Sequence, residues 1–406
     1  MGIINITGGG GLFGEVRVGG SKNAVLPIIL ASLITRGVSL LENVPDIEDV
    51  RDCISIIESF GAKIKRGETS LEIDTTKLYY RTPPLDAVCR IRASTYLIGA
   101  CLSRFGVAQL MPFGGCNFAE RPIDLHLQLA EMFGAIRVKD TLVSSGLRPA
   151  CAVMSKISVG ATVNALLLSA GAAGESKITP YAKEPHVFSL IEYLRSAGAD
   201  IEVNENSLTV RGSSLCGGYS CVVGDMVEAG TYLAAGMISG GDVTVSGVVP
   251  AHLSSFLDPL SACGVKITSS RDSVGAVGLP TCEIDITTGP YPAFPTDLQP
   301  IFAPMLASGS GGIIRDTVWR ERFGYLGTLS AFGVEYERYD GAAKIKKSVF
   351  TPAHVAAPDL RGGAACILAA LAARGVSTVA DSQIIYRGYE RITQKLSALG
   401  AKIYDA

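Results

Sequence analysis

Apolar residues along the chain fall into a repeating alternation of helical runs and short extended segments. The pattern predicts helices over 24–33, 46–60, 162–172, 297–306 and 363–373. Strands are predicted over 3–7, 14–18, 70–74, 207–211 and 243–247, separated by Gly-rich turns. A third element is periodic. Helical stretches run into a glycine followed by a short strand at Gly61, Gly134, Gly198, Gly264, Gly333 and Gly400, spaced 73, 64, 66, 69 and 67 residues apart. Each glycine reads as a helix C-cap feeding an extended segment. Six such units imply a repeat architecture that divides into two groups of three, with the best internal boundary near 222–230. Mixed strands with frequent helices imply an α/β (α+β) fold.

Composition narrows the class. With 406 residues the chain is long enough for two domains, and 48 % hydrophobic with 18 % charged residues is ordinary for a globular protein. A net charge of -2 gives no overall basic surface, so no nucleic-acid partner is expected and any anion site must be local. No run of about 18 apolar residues occurs, no basic-then-apolar leader opens the chain, and no membrane partner is expected. A reducing cytoplasm is the expected compartment. Ten cysteines in so long a chain do not make a disulfide scaffold. Cys53, Cys89, Cys101 and Cys366 read as small buried hydrophobes. The four histidines are far apart, and no metal or other cofactor is expected. The glycine run 8–11 lacks the Lys-Ser/Thr ending of a phosphate loop and reads as a turn.

Candidate chemistry gathers at element junctions. Cys116 is the one cysteine flanked by turn residues, in Gly114-Gly115-Cys116, with Arg121 close enough in sequence to favour the thiolate. Lys22, after Gly19-Gly20-Ser21 and before Asn23, sits where a helix N-terminus favours anions. Arg92 opens an apolar helix. Pro122 suits the first helical position, which puts Arg121 at the helix mouth. Lys156-Ile157-Ser158-Val159-Gly160 precedes a helix and reads equally as a phosphate cradle or as simple capping. Asp297 reads as a helix cap or as a carboxylate able to take a proton from a bound alcohol. Arg322, Arg361 and Arg387 each lie beside a turn or helix start, which suits a substrate with several negative charges.

In combination these motifs resemble the enolpyruvyl transferases over essentially the whole chain, closest to the branch that acts on UDP-N-acetylglucosamine. The carrying segments are Gly20-Ser21-Lys22-Asn23-Ala24, Arg92-Ala93-Ser94, Gly114-Gly115-Cys116, Arg121-Pro122-Ile123-Asp124-Leu125-His126, Lys156 to Thr162, Phe294-Pro295-Thr296-Asp297, Glu321-Arg322-Phe323, Asp359-Leu360-Arg361 and Arg387-Gly388-Tyr389-Glu390. The shikimate branch normally lacks the cysteine loop. The resemblance implies two three-unit domains forming an inside-out α/β barrel: 22–225, and 1–21 with 226–406, the active site lying in the cleft between them.

It also implies the site. Phosphoenolpyruvate would be held by Lys22, Arg121, Arg322, Arg361 and Arg387. Asp297 would take the proton of a sugar 3-hydroxyl. Cys116 would assist proton transfer and product release. Asn23 and Asp297 would meet the amino sugar. Arg92, Arg121, Pro122, Ile123, Asp124, Leu125, His126, Lys156, Ser158, Val159 and Gly160 would hold uridine and diphosphate, with Val318 a further substrate contact. Three segments depart from the family pattern: Lys183-Glu184-Pro185-His186, Asp225-Met226-Val227-Glu228, and Ile384 to Tyr386 before Arg387. Two alternatives stay open: UMP or a related nucleotide as acceptor, and a catalytically silent UDP-sugar-binding paralogue.

Overall fold

The computed structural model describes residues 2–115 and 122–406. The described residues form two compact units, 2–19 with 224–406, and 20–115 with 122–223. Their cores are separate.

The unit containing 224–406 is built around three helices, Met226–Ile238, Gln299–Ser308 and Leu360–Ala372, which pack on one another and are buried nearly throughout. Their sequences explain this. They are almost uncharged and rich in Ala, Gly, Leu and Ile, and a helix apolar on all sides must lie inside a core. Three four-stranded sheets cover them. In the first the order is Ile286–Thr288, Gly312–Asp316, Ala342–Ile345, Tyr336–Tyr339. The first pair is parallel, joined through an inner helix, and the other pairs are antiparallel.

The same order recurs in the other two sheets, with the N-terminal strands completing them. Ile3–Gly8 lies between Gly375–Ala380 and Lys402–Asp405, placing Ile6 opposite Ser377 and Ile403. Phe13–Arg17 runs parallel to Asp242–Ser246. Alternation along Ile3–Gly8 sends Ile4 and Ile6 into the core, both 0 % exposed.

The unit of 20–223 repeats the plan. Its inner helices are Lys22–Ala31, Leu97–Phe105 and Val159–Gly171. Two of its sheets have four strands; the third, Val107–Gln109, Thr141–Val143 and Ile136–Val138, has three. Tyr219–Cys221 returns to run parallel to Val38–Glu42 and closes the unit on itself. The α/β (α+β) architecture is thus helices inside and sheets outside, six sheets among the described residues.

Six outer helices match the glycine period: Glu48–Ser59, Asp124–Met132, Pro185–Ser196, Ser254–Ala262, Tyr325–Ser330 and Ile392–Ala398. The glycines that follow, 61, 134, 198, 264, 333 and 400, have φ of 95, 88, 104, 88, 87 and 103°. This is the left-handed conformation that a helix C-terminus needs in order to turn into the next strand, and it favours a residue without Cβ.

One cysteine expectation changes, and one pairing that sequence did not indicate is added. Cys53, Cys101 and Cys366 are buried, but Cys89 is exposed, because the short helix Leu85–Arg90 buries only Ala87 and Val88. Cys263 and Cys282 form a disulfide, 19 residues apart, between the end of an outer helix and the segment leading to Ile286–Thr288. No helix among the described residues is long and apolar enough to cross a membrane.

Candidate active site

In the unit of 20–223, the turn Arg92–Tyr96 packs against two inner helices, Lys22–Ala31 and Val159–Gly171. This gathers the predicted groups. Lys22 opens its helix, and its Nζ lies 2.7 Å from Asp49 Oδ2, with only 12 % of the lysine side chain exposed. Asn23 follows it, partly buried. Arg92 Nη2 donates to the Pro122 carbonyl at 3.2 Å. His126, buried on the helix Asp124–Met132, meets the Asn164 side chain at 2.6 Å through Nδ1. Burial, with Arg92 nearby, lowers its pKa to about 4, while Asp124 pulls weakly the other way.

Ser158 caps the helix Val159–Gly171 by accepting from the Ala161 N–H at 3.3 Å. Val159 and Gly160 form the first turn and Gly160 lies under the His126 ring, while Lys156 is exposed. Pro122 is not at the first helical position: the helix begins at Asp124, with Ile123 as its N-cap residue. Leu125 turns inward and is buried, whereas Asp124 faces solvent.

In the unit containing 224–406, Asp297 sits between two arginines. Arg322 Nη1 is 2.7 Å from its Oδ1 and Arg361 Nη2 is 3.5 Å from its Oδ2. Both arginine side chains are buried, at 4 % and 2 % exposure, whereas Asp297 keeps 27 %. Of its two readings from sequence, Asp297 therefore does not take that of a helix cap. The helix starts at Gln299 with Leu298 as N-cap residue, and the carboxylate is drawn to the guanidiniums.

Arg361 is placed by the first turn of Leu360–Ala372, where Asp359 accepts from the Arg361 and Gly362 N–H groups at 2.9 and 3.0 Å. Burial disfavours its charge, but Tyr389, Asp297 and Asp225 more than offset this and hold the guanidinium above its ordinary range. Its Nε and Nη1 are buried and have no hydrogen-bond partner among the described residues. Two unpaired buried donors on a charged group are costly unless an acceptor arrives. Arg387 ends the short helix Gln383–Tyr386 and is partly buried. Val318, 39 % exposed, donates its N–H to Asp316 at 2.9 Å.

Several groups that shape the site escaped sequence reasoning. Asp316 accepts from Thr288 Oγ1, Thr296 Oγ1 and the N–H groups of Val318 and Trp319, at 2.6–2.9 Å. It thereby ties the Thr296-Asp297 segment to the turn carrying Arg322. An Asp ending an apolar strand before a polar turn is the available signal. Tyr389 lies under the Arg361 guanidinium, 5.1 Å from ring centroid to Cζ. Asn164, a single amide in an apolar helix, is the third. Asp225, in a departing segment, caps Met226–Ile238, while Met226 and Ile384 pack against the core. Cys116 and Arg121 lie outside the described residues.

The family described as EPSP synthase (3-phosphoshikimate 1-carboxyvinyltransferase) matches residues 6–396, and the chain belongs to it. Within it, the chain is 40 % identical over 413 residues to UDP-N-acetylglucosamine 1-carboxyvinyltransferase 3 of Caldanaerobacter subterraneus subsp. tengcongensis, covering 98 % of each. It is 36 % identical over 411 residues to UDP-N-acetylglucosamine 1-carboxyvinyltransferase of Halothermothrix orenii, covering 99 % of each. Among solved structures, the enolpyruvyl transferase NikO from Streptomyces tendae superposes with a TM-score of 0.89 at 26 % identity, covering 100 % of this chain and 99 % of its own. EPSP synthase from Acinetobacter baumannii reaches 0.75 at 16 % identity, covering 100 % of both chains, a likeness of fold.

Proposed function

We propose that the protein transfers the enolpyruvyl group of phosphoenolpyruvate to the 3-hydroxyl of UDP-N-acetylglucosamine, releasing phosphate, a step of peptidoglycan synthesis. The observation that carries this is the Asp297 cluster: a part-exposed carboxylate held by two buried arginines, one with two unpaired buried donors. That arrangement suits a small polyanion bound next to a proton acceptor. An anion that engages Arg322 and Arg361 weakens their hold on Asp297 and leaves its carboxylate to take the hydroxyl proton.

The acceptor oxygen then bonds to C2 of phosphoenolpyruvate while C3 gains a proton, giving a tetrahedral phospholactoyl intermediate. Loss of a C3 proton and cleavage of the C2–O bond to phosphate restore the double bond. Guanidiniums and Lys22 stabilise the negative charge that builds on the phosphate. Cys116 is assigned to proton transfer and product release, and Arg121 and Arg387 to phosphoenolpyruvate. Asn23, Arg92, Pro122, Ile123, Asp124, Leu125, His126, Lys156, Ser158, Val159, Gly160 and Val318 are assigned to the acceptor.

A second reading keeps the chemistry and replaces the acceptor with UMP or a related nucleotide; the likeness to NikO supports it. The deciding experiment measures phosphate release from phosphoenolpyruvate with UDP-N-acetylglucosamine and UMP offered separately, and identifies each product by mass. Turnover with the UDP-sugar alone supports the first reading, and turnover with UMP alone replaces it by the second. Asp297→Asn should lower kcat by at least about 100-fold with the fold retained by circular dichroism. A loss under about threefold would remove Asp297 from proton transfer.

A further inference from the structure

Asn164 is a lone amide in the buried helix Val159–Gly171 and is itself 0 % exposed. Its orientation follows from two backbone partners. Oδ1 accepts from the Gly99 N–H at 2.7 Å, where an amide nitrogen would set donor against donor. Nδ2 donates to the Thr95 carbonyl at 3.0 Å. Both contacts select the same one of the two amide orientations. The second Nδ2 hydrogen then faces His126 Nδ1 at 2.6 Å. Nδ1 must accept it, so the neutral ring carries its proton on Nε2. Among the described residues Asn164 is the one hydrogen-bond partner of His126. The Nε2 edge lies against Gly160 at the helix start: a Cβ there would stand 3.1 Å from Cε1 and 3.3 Å from Nε2.

We propose that Asn164 is a positioning residue that holds His126 as a fixed Nε2–H donor, directed beside Gly160 at an oxygen of the nucleotide part of the acceptor, and keeps it out of proton transfer. This rests on the transferase reading above. Charge works in the same direction. Protonating Nδ1 would press N–H against N–H, and Arg92 opposes a second cation, while solvent-exposed Asp124 is the acidic group that favours it. A backbone and amide framework that cannot titrate therefore sets the direction of one hydrogen bond across the working pH range.

The first test is a two-bond 1H–15N spectrum of the uniformly labelled whole chain between pH 6 and 8. The chain has four histidines, and His126→Gln identifies the signal. The expected pattern is the Nε2–H tautomer throughout; an Nδ1–H tautomer or an imidazolium overturns the proposal. Adding UMP or UDP-N-acetylglucosamine should shift that Nε2 resonance. Binding by calorimetry with the resonance unmoved, or binding of neither, overturns the donor role.

Asn164→Asp still accepts from Gly99 but cannot donate, so the proton moves to Nδ1. The acceptor KM should then rise about tenfold and become pH-dependent, with kcat and the phosphoenolpyruvate KM within about twofold. An unchanged acceptor KM with an altered tautomer overturns the proposal, as does an equal loss in kcat, which is what a merely structural role would produce. If this variant does not fold, the wild-type spectra decide. Failure of phosphate release with either acceptor would sink the functional reading, whereas the tautomer stands or falls on the substrate-free spectrum.

Discussion

His126 shows how much a neighbour decides at the level of one side chain. In an unfolded chain its imidazole titrates near 6.5; buried against Asn164 and beside Arg92 it titrates at about 4. The unfolded state therefore binds more protons between these values, and stability is lost as pH falls through 6.5 toward 4. The shift corresponds to about 3 kcal/mol, fully present above pH 7 and absent below both values. Urea unfolding of wild type and His126→Gln at pH 7.5 and 4.5 should show a pH-dependent gap of that order; parallel curves would refute it. Asp297 and Arg361 depend on neighbours in the same way. Each stands at a turn or helix start in sequence, and the ion pairs and the two guanidinium donors unpaired among the described residues show what each is held by.

Helix ends carry much of the local organisation. Asp225, Ser158 and Asp359 cap three inner helices, and the last of these places Arg361. Asp359→Ala should cost about 1 kcal/mol in chemical denaturation and also raise the phosphoenolpyruvate KM severalfold, because the same turn orients the guanidinium. Lost stability with an unchanged KM would separate the cap from the site. At the end of an outer helix, the Cys263–Cys282 bond closes a loop of 19 residues. Loop-closure entropy gives it a value of about 3 kcal/mol. Unfolding midpoints with and without dithiothreitol, compared with Cys263→Ser/Cys282→Ser, should differ accordingly; a thiol count showing both cysteines free in the purified protein would sink this.

Each three-sheet unit is closed by strands distant in sequence, and the unit containing 224–406 also needs the separate stretch 2–19 to be complete. Ile3–Gly8 supplies the third strand of a sheet otherwise made from 354–405, and buries Ile4 and Ile6. Removing residues 2–10 would leave two strands with unpaired edges and an open core. The expected outcome is loss of the cooperative unfolding of that unit, seen by calorimetry, with the transition of the other unit retained. A truncated chain with an unchanged profile would show the strand to be dispensable.

The contrast between legible and hidden features has a physical basis. Apolar runs and the glycine period are local properties: a helix with no polar face must be interior, and a left-handed C-cap favours glycine wherever it occurs. The inner helices near 24–33, 162–172, 297–306 and 363–373, the six repeats and the junction-borne lysine and arginines could therefore be read along the chain. Asn164 with His126, Asp316 with its four donors, Tyr389 under Arg361 and the Cys263–Cys282 bond could not. Pro122 falls outside the first helical position, and Asp297 does not take the capping one of its two readings, for the same reason. Caps and helix starts are local preferences worth about 1 kcal/mol, and they yield when long-range contacts set the chain path or offer a carboxylate two buried guanidiniums. Sequence order alone carries the repeat, the apolar helical runs and the kinds of group available; pairings across 20 to 230 or so residues, which set orientation and charge, exist only once the chain has folded.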